Sequence, residues 1–253
     1  MKRFLRPLFG LCVIMGLFSS LRASHDEWAN AIATFNSVDA DHPAPSDCVL
    51  FAGSSSVRLW TSLSQDFANI PVINRGFGGS ELSDTVFYFD RLVLPCHPSL
   101  IVLYAGENDL QNGQTPAMVL QSFQSFCTRL HTSLPETRLI YISIKPSPCR
   151  SKLRDSVLST NTLIAAQCKA DPLCSFVNVY SEMVDSEGSP KKNYFGADML
   201  HMNRAGYQLW TQLLVPFIAQ TKAALKLVSG TPADKAGAAH TASAKAVSSL
   251  QVH

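Results

Sequence analysis

LIVLYAG, residues 100–106, is an unbroken apolar run that stops at a glycine and is followed at once by Glu107, Asn108 and Asp109. A short run rich in β-branched and aromatic residues, with no polar residue alternating through it, reads as a strand covered on both faces. Four more runs have the same character: CVLFAG (48–53), PVINRGF (71–77), RLIYISIKP (138–146) and CSFVNVY (174–180). The segments between them, such as TPAMVLQSFQSFCTRLHTSL and SKLRDSVLSTNTLIAAQCKA, repeat apolar residues at spacings of three and four and read as amphipathic helices. Thr115 as N-cap and Pro116 at the first helical position open the first of these. Strands alternating with helices require a parallel sheet covered on both sides, so the expected fold class is α/β, a three-layer α/β/α sandwich with five parallel strands.

Both ends of the chain read differently. Lys2, Arg3 and Arg6 precede the apolar run Leu8–Phe18 and the small-residue stretch SSLRAS, the order of a secretory signal peptide, with cleavage expected near Ala23 although Leu21 is a poor residue two positions before it. Eleven residues are too few to span a bilayer comfortably, and an uncleaved anchor is the alternative to cleavage. Cys12 follows Leu11 rather than a small residue, which argues against a lipid-anchoring cleavage site. Residues 1–23 are therefore assigned to a signal peptide, 24–226 to one domain, and 227–253, rich in Ala, Ser, Gly and Lys without an apolar face, to a disordered tail. The expected location is the periplasm or outside the cell, with no stable membrane span after cleavage.

Charge follows the same division. The whole chain carries +2, but removal of Lys2, Arg3, Arg6 and Arg22 turns this into −2, and no nucleic-acid footprint remains. Six cysteines survive cleavage (Cys48, Cys96, Cys127, Cys149, Cys168, Cys174). An exported protein permits disulfides among them, and sequence does not choose the connectivity. No C-x-x-C pair occurs, and no metal or cofactor is expected.

In a parallel α/β sheet, ligands bind outside the carboxyl ends of the strands. Every unusual polar cluster of this sequence falls at such an end. GSSS (53–56) follows the first run, GFGGSE (76–81) the second, GEND (106–109) the third, and DMLH (198–201) precedes the last helix, for which Asn203 is the expected N-cap. Taken singly, each has a plain structural reading: serines in a turn, and Asn108 or Asp109 capping a loop. GFGGSE fails as a dinucleotide motif because Glu81 stands where the last glycine is needed and would repel a pyrophosphate. Taken together, they supply a serine nucleophile, main-chain and amide donors, and a histidine three residues from an aspartate that orients it. Acyl transfer through a serine ester needs that set.

These four blocks, in this order and over about residues 46–220, resemble the SGNH hydrolases, also called GDSL-type esterases and lipases. Within that family the wording GSSSVRLW, INRGFGG and YAGEND is most similar to a bacterial branch like platelet-activating-factor acetylhydrolase. The resemblance implies a flavodoxin-like sheet of order 2-1-3-4-5. It also implies Ser55 as nucleophile, Asp198 and His201 as the other triad members, and an oxyanion hole formed by the N–H groups of Ser55 and Gly79 and the side chain of Asn108. Ser54 departs from the family pattern, which has aspartate there.

The expected activity is hydrolysis of carboxylic esters, whether short-chain acyl, lipid or acetylated carbohydrate, through an acyl-enzyme on Ser55. An O-acyltransferase or deacetylase working on cell-envelope polysaccharide uses the same residues, and a catalytically silent binding module is the alternative from another class. The expected partner is a small-molecule, lipid or carbohydrate ester; oligomeric state is left open. Trp60, Phe77, Phe87 and Tyr88 are expected to serve the core rather than the cleft.

Overall fold

A computed structural model describes residues 26–229. The expected signal peptide, residues 1–23, lies outside the described residues, as does the expected tail beyond Ser229. Five strands form the sheet: β1 (Val49–Gly53), β2 (Val72–Gly76), β3 (Leu100–Tyr104), β4 (Arg138–Ile142) and β5 (Cys174–Val177). All pair in parallel, in the order β2-β1-β3-β4-β5, as expected.

Alternation along the strands sends side chains into two cores. Leu50, Ala52, Ile101, Leu103, Leu139 and Tyr141 face one layer. Its helices are α1 (Ala29–Asp41), α4 (Leu82–Phe87), α5 (Phe89–Leu92), α7 (Pro116–Ser133) and α8 (Arg154–Ala170), which add Ile32, Leu82, Phe89, Phe123 and Ile164. Val49, Phe51, Val102, Tyr104 and Ile140 face the opposite layer, formed by α2 (Ser55–Arg58), α3 (Leu63–Asp66) and α9 (Arg204–Ser229). Burial on both faces explains why β1, β3 and β4 read as continuous apolar runs. The edge strand β2 carries Asn74 and is only half-buried over its first three residues.

Two predicted runs are longer than the strands they contain, and side chains explain the difference. Beyond Ile142, Asn161 of α8 takes over the ladder: its Oδ1 accepts from Ile144 N at 2.8 Å and its Nδ2 donates to Ile144 O at 3.0 Å. Beyond Val177, Ser143 Oγ accepts from the N–H groups of Val179 and Tyr180 at 3.0 and 3.1 Å. Thr115 caps α7 as expected, its hydroxyl accepting from Met118 N. Helix α9 runs to Ser229, three residues into the stretch assigned to the tail.

Register places the site. Gly53 lies opposite both Gly76 and Tyr104, so β1, β2 and β3 end level with one another. Past those ends the chains stay joined, with Phe77 N–H donating to Gly53 O at 2.9 Å and Ser54 N–H donating to Tyr104 O at 3.1 Å. Gly53 has φ of 130°, and a Cβ there would stand 1.9 Å from Tyr104 O, so only glycine lets the two strand ends approach this closely.

All six cysteines among the described residues are free, with Cys168 Sγ at the end of α8 lying 2.7 Å from Cys174 Sγ at the start of β5. No helix among the described residues is long and apolar enough to cross a membrane.

Candidate active site

The abrupt turn at Gly53 makes Ser54 the N-cap of α2 and Ser55 its first residue. That position leaves the Ser55 backbone N–H without an intrahelical carbonyl to meet. The one-turn helix is fixed from below: Tyr207 OH of α9 donates to Ser56 O at 3.0 Å, and Trp60 packs among Phe51, Phe67, Tyr207 and Trp210 with ring centroids 5.1–6.0 Å apart. Ser56 and Ser54 are buried, whereas Ser55 retains partial exposure. Of the three serines, Ser55 alone meets the histidine.

His201 reaches it from the loop before α9. Its Nε2 lies 3.0 Å from Ser55 Oγ and its Nδ1 lies 2.6 Å from Asp198 Oδ2. The loop is preformed by its own aspartate. Asp198 Oδ1 accepts from Leu200 N at 3.0 Å and His201 N at 2.9 Å, while Met199 adopts a left-handed φ of 55°. Asn203 then caps α9, its Oδ1 accepting from Ala205 N and Gly206 N. The Leu200 N–H first, then the His201 ring and N–H, hold the Asp198 carboxyl down at about 2. An ionised carboxylate only accepts, so Nδ1 carries the imidazole proton and Nε2 turns its lone pair toward the Ser55 hydroxyl.

The β2 end supplies a glycine loop. Gly79 has φ of 82°, and a Cβ there would meet nothing within 4 Å, so the left-handed turn rather than crowding favours glycine and the residue faces open space. Ser80 Oγ donates to Phe77 O at 2.9 Å and Trp28 Nε1 donates to Gly78 O at 2.8 Å, pinning the loop from both sides. Glu81 caps α4 in a reciprocal box with Asp84.

The β3 end meets that loop through α6 (Glu107–Gln111). Asn108 Nδ2 donates to Ser80 O at 2.9 Å, next to Gly79. Asp109 does not cap its own loop. Both its oxygens accept the Leu82 N–H of α4, at 3.0 and 3.1 Å, and burial pushes its carboxyl up to about 7 against that hydrogen bond. GEND therefore clamps the glycine loop twice, once on each side of Glu81.

Sequence reasoning missed a third group behind Asn108. Arg150 Nη1 donates to Asn108 Oδ1 at 3.0 Å and lies 3.6 Å from Glu107 Oε1. Glu107 Oε2 pairs with the Lys145 ammonium and accepts from Tyr104 OH at 2.8 Å. Lys145 is 1% exposed. Burial is the largest influence and alone would raise the Glu107 carboxyl, but the Lys145 ammonium, the Ser147 hydroxyl and the Arg150 guanidinium together outweigh it and hold Glu107 below its ordinary range. Among the described residues, no group of three or more His, Cys, Asp or Glu could hold a metal ion.

Comparison with known proteins gives the family of the chain. Residues 45–209 match the GDSL-like lipase/acylhydrolase family. The chain belongs to that family. Solved structures agree on the fold of this GDSL-family chain. A Streptococcus pneumonia protein described as a candidate platelet activating factor is 20% identical with a TM-score of 0.68, covering 81% of this chain and 98% of its own. A GDSL-like lipase from Bacteroides thetaiotaomicron is 23% identical with a TM-score of 0.64, covering 78% and 98%. An acetylxylan esterase from Geobacillus stearothermophilus, a catalytic mutant, is 11% identical with a TM-score of 0.56, covering 68% and 94%. No curated protein sequence matches the chain.

The GDSL-family assignment makes the chain one of a group of esterases and acylhydrolases. Ser54, the expected departure from the Gly-Asp-Ser pattern, is buried, and its backbone carries the contacts of the turn. Of the aromatic residues weighed between core and cleft, Trp60, Phe77 and Tyr88 are core, while Phe87 is 52% exposed.

Proposed function

We propose that the chain is an exported serine esterase that hydrolyses carboxylic esters through an acyl-enzyme on Ser55. The observation that carries this reading is the alignment of Ser55 Oγ, His201 and Asp198 at 3.0 and 2.6 Å with one tautomer favoured. Ser55 Oγ attacks the ester carbonyl carbon as its proton passes to His201 Nε2. Asp198, an anion, steadies the imidazolium. Collapse of the tetrahedral species breaks the bond to the alcohol oxygen, which leaves with the proton from His201. Water then attacks the acyl carbon with His201 again as base, releasing the carboxylic acid and restoring the Ser55 hydroxyl.

The N–H groups of Ser55 and Gly79 and the amide of Asn108 hold the oxyanion in this scheme. Losing one such donor costs about 3–4 kcal/mol of transition-state stabilisation, roughly a hundred- to thousand-fold in rate. Substrates in view are short-chain acyl, lipid and acetylated carbohydrate esters. The fold neighbour named as an acetylxylan esterase supports including the last. A p-nitrophenyl ester series of increasing acyl length, run on the chain from residue 24 onward, tests the reading. Turnover abolished by Ser55→Ala is expected, and turnover unchanged by that substitution overturns it.

A further inference from the structure

An asparagine that serves an oxyanion must present its NH₂ end, yet its two ends differ by little in shape. Something has to choose between them. In this chain the choice is made from both sides of the Asn108 amide: Ser80 O accepts from Nδ2 at 2.9 Å, and Arg150 Nη1 donates to Oδ1 at 3.0 Å. Rotating the amide by half a turn would set NH₂ against a guanidinium and oxygen against a carbonyl, two repulsions in place of two hydrogen bonds. Ser80 uses one of the two Nδ2 protons. The second remains for a ligand.

Arg150 is itself aimed. Its Nη1 sits 3.6 Å from Glu107 Oε1 and its side chain is 16% exposed. The other oxygen of Glu107 is occupied by Lys145 and Tyr104. Oε1 of Glu107 is left facing Arg150, with the Ser147 hydroxyl also beside the carboxylate. Two cations share one carboxylate within this cluster, which leaves a positive charge not matched there, behind the amide. A guanidinium on Oδ1 draws electron density away from nitrogen, so the free N–H becomes a stronger donor, and the low dielectric of a buried site magnifies the effect.

We propose that Lys145, Glu107 and Arg150 form a buried charge relay whose work is to fix and polarise Asn108 as an oxyanion donor, with Arg150 the positioning residue at its tip. The inference rests on the esterase reading above. It assigns a role to two cations, 38 and 42 residues away from their partners in sequence, that the acyl-transfer mechanism leaves unused. Arg150 also borders a hollow lined by Leu153, Val157, Tyr180 and Pro190, so direct contact with substrate is the competing role.

The two roles separate in kinetics. With p-nitrophenyl acetate and the chain from residue 24 onward, Arg150→Ala is expected to lower kcat about 10- to 100-fold, a share of the hundred- to thousand-fold a whole donor supplies, with KM within about threefold. Arg150→Lys keeps the charge but not the fork and is expected to recover part of the loss. In an Asn108→Ala background, Arg150→Ala is expected to change kcat less than about threefold, because the amide it serves is gone. An undiminished effect in that background, or a change confined to KM, overturns the proposal. Should Arg150→Ala lose its far-UV circular dichroism, Arg150→Gln, which keeps one N–H donor, carries the same cycle. Ser55→Ala runs alongside: if it retains turnover, the esterase reading fails, whereas its loss of turnover together with additive Arg150 and Asn108 effects defeats the relay alone.

Discussion

Asp109→Asn separates the electrostatic cost of a buried carboxyl from the hydrogen bond it makes. Asp109 is fully buried, and both its carboxylate oxygens accept the Leu82 N–H at the start of α4, with Glu81 and Asp84 the nearby like charges. Desolvation dominates, with the Leu82 N–H working against it, and the carboxyl is pushed up from 3.8 to about 7. A folded-state value above the unfolded one means the folded protein binds the extra proton. Stability from this group is full below about pH 4 and is lost as pH rises through 7. Roughly three decades at about 1.36 kcal/mol each give up to about 4 kcal/mol of lost stability across that window. Asparagine has the same shape, keeps an oxygen facing Leu82 N, and does not titrate. Urea unfolding at pH 4 and pH 8 reads the difference. The gap between Asp109→Asn and the unsubstituted chain is expected to shift in favour of the variant by as much as about 4 kcal/mol between the two pH values. In a domain of this size that corresponds to a Tm shift of roughly 8–16 °C. If the gap is the same at both pH values, or moves the other way, the buried-carboxylate argument is wrong.

Asp198→Asn keeps an acceptor for the Leu200 and His201 N–H groups but offers NH₂ to His201 Nδ1, favouring the wrong tautomer; kcat should fall by about 10² to 10⁴, the half-exposed carboxylate setting it toward the smaller figure, with the far-UV spectrum unchanged. Because the Leu200 N–H and His201 hold the Asp198 carboxyl at about 2, protonation of Asp198 itself should cost no activity in the unsubstituted chain until the pH nears 2, where stopped assays would find the loss. Gly53→Ala should destabilise by at least about 3 kcal/mol in urea unfolding, since its Cβ meets the Tyr104 carbonyl at a φ no alanine favours. Treatment with diamide should convert the Cys168 and Cys174 thiols to one disulfide, the two hydrogens passing to the diamide, with peptide mapping showing this pair oxidised before Cys48 or Cys96.

Much of this fold was legible because two-sided burial writes itself into composition. Leu100–Tyr104 read as a strand covered on both faces, and parallel strands gather at one sheet edge the polar residues that follow them. GSSS, GFGGSE and GEND stood out because each is a polar cluster placed where an apolar run stops, and DMLH because it pairs a histidine with an aspartate at the entry to the last helix; Ser55 and Gly79 were singled out within their clusters by the family resemblance alone. Their neighbours on the same loops were less visible. The strand ends at Ile142 and Val177 were overrun because Asn161 and Ser143, distant in sequence, supply the hydrogen bonds that end pairing there. Asp109 was read as a local cap, but it serves Leu82, 27 residues earlier. Glu107 was visible as part of GEND but its partners Lys145 and Arg150 were not, since long side chains that meet through the fold have no period or spacing to detect. Trp28 is a similar case, reaching Gly78 from a turn that sequence gives no reason to connect with it.

The central claim is that Ser55, not Ser54 or Ser56, is the nucleophile, activated by His201. Reaction with a fluorophosphonate followed by peptide mass mapping tests it most directly. A single phosphonylated residue, Ser55, is expected, with labelling kept in Ser54→Ala and Ser56→Ala, abolished in Ser55→Ala, and strongly slowed in His201→Ala. A label on Ser54 or Ser56, or labelling that survives Ser55→Ala, would contradict it.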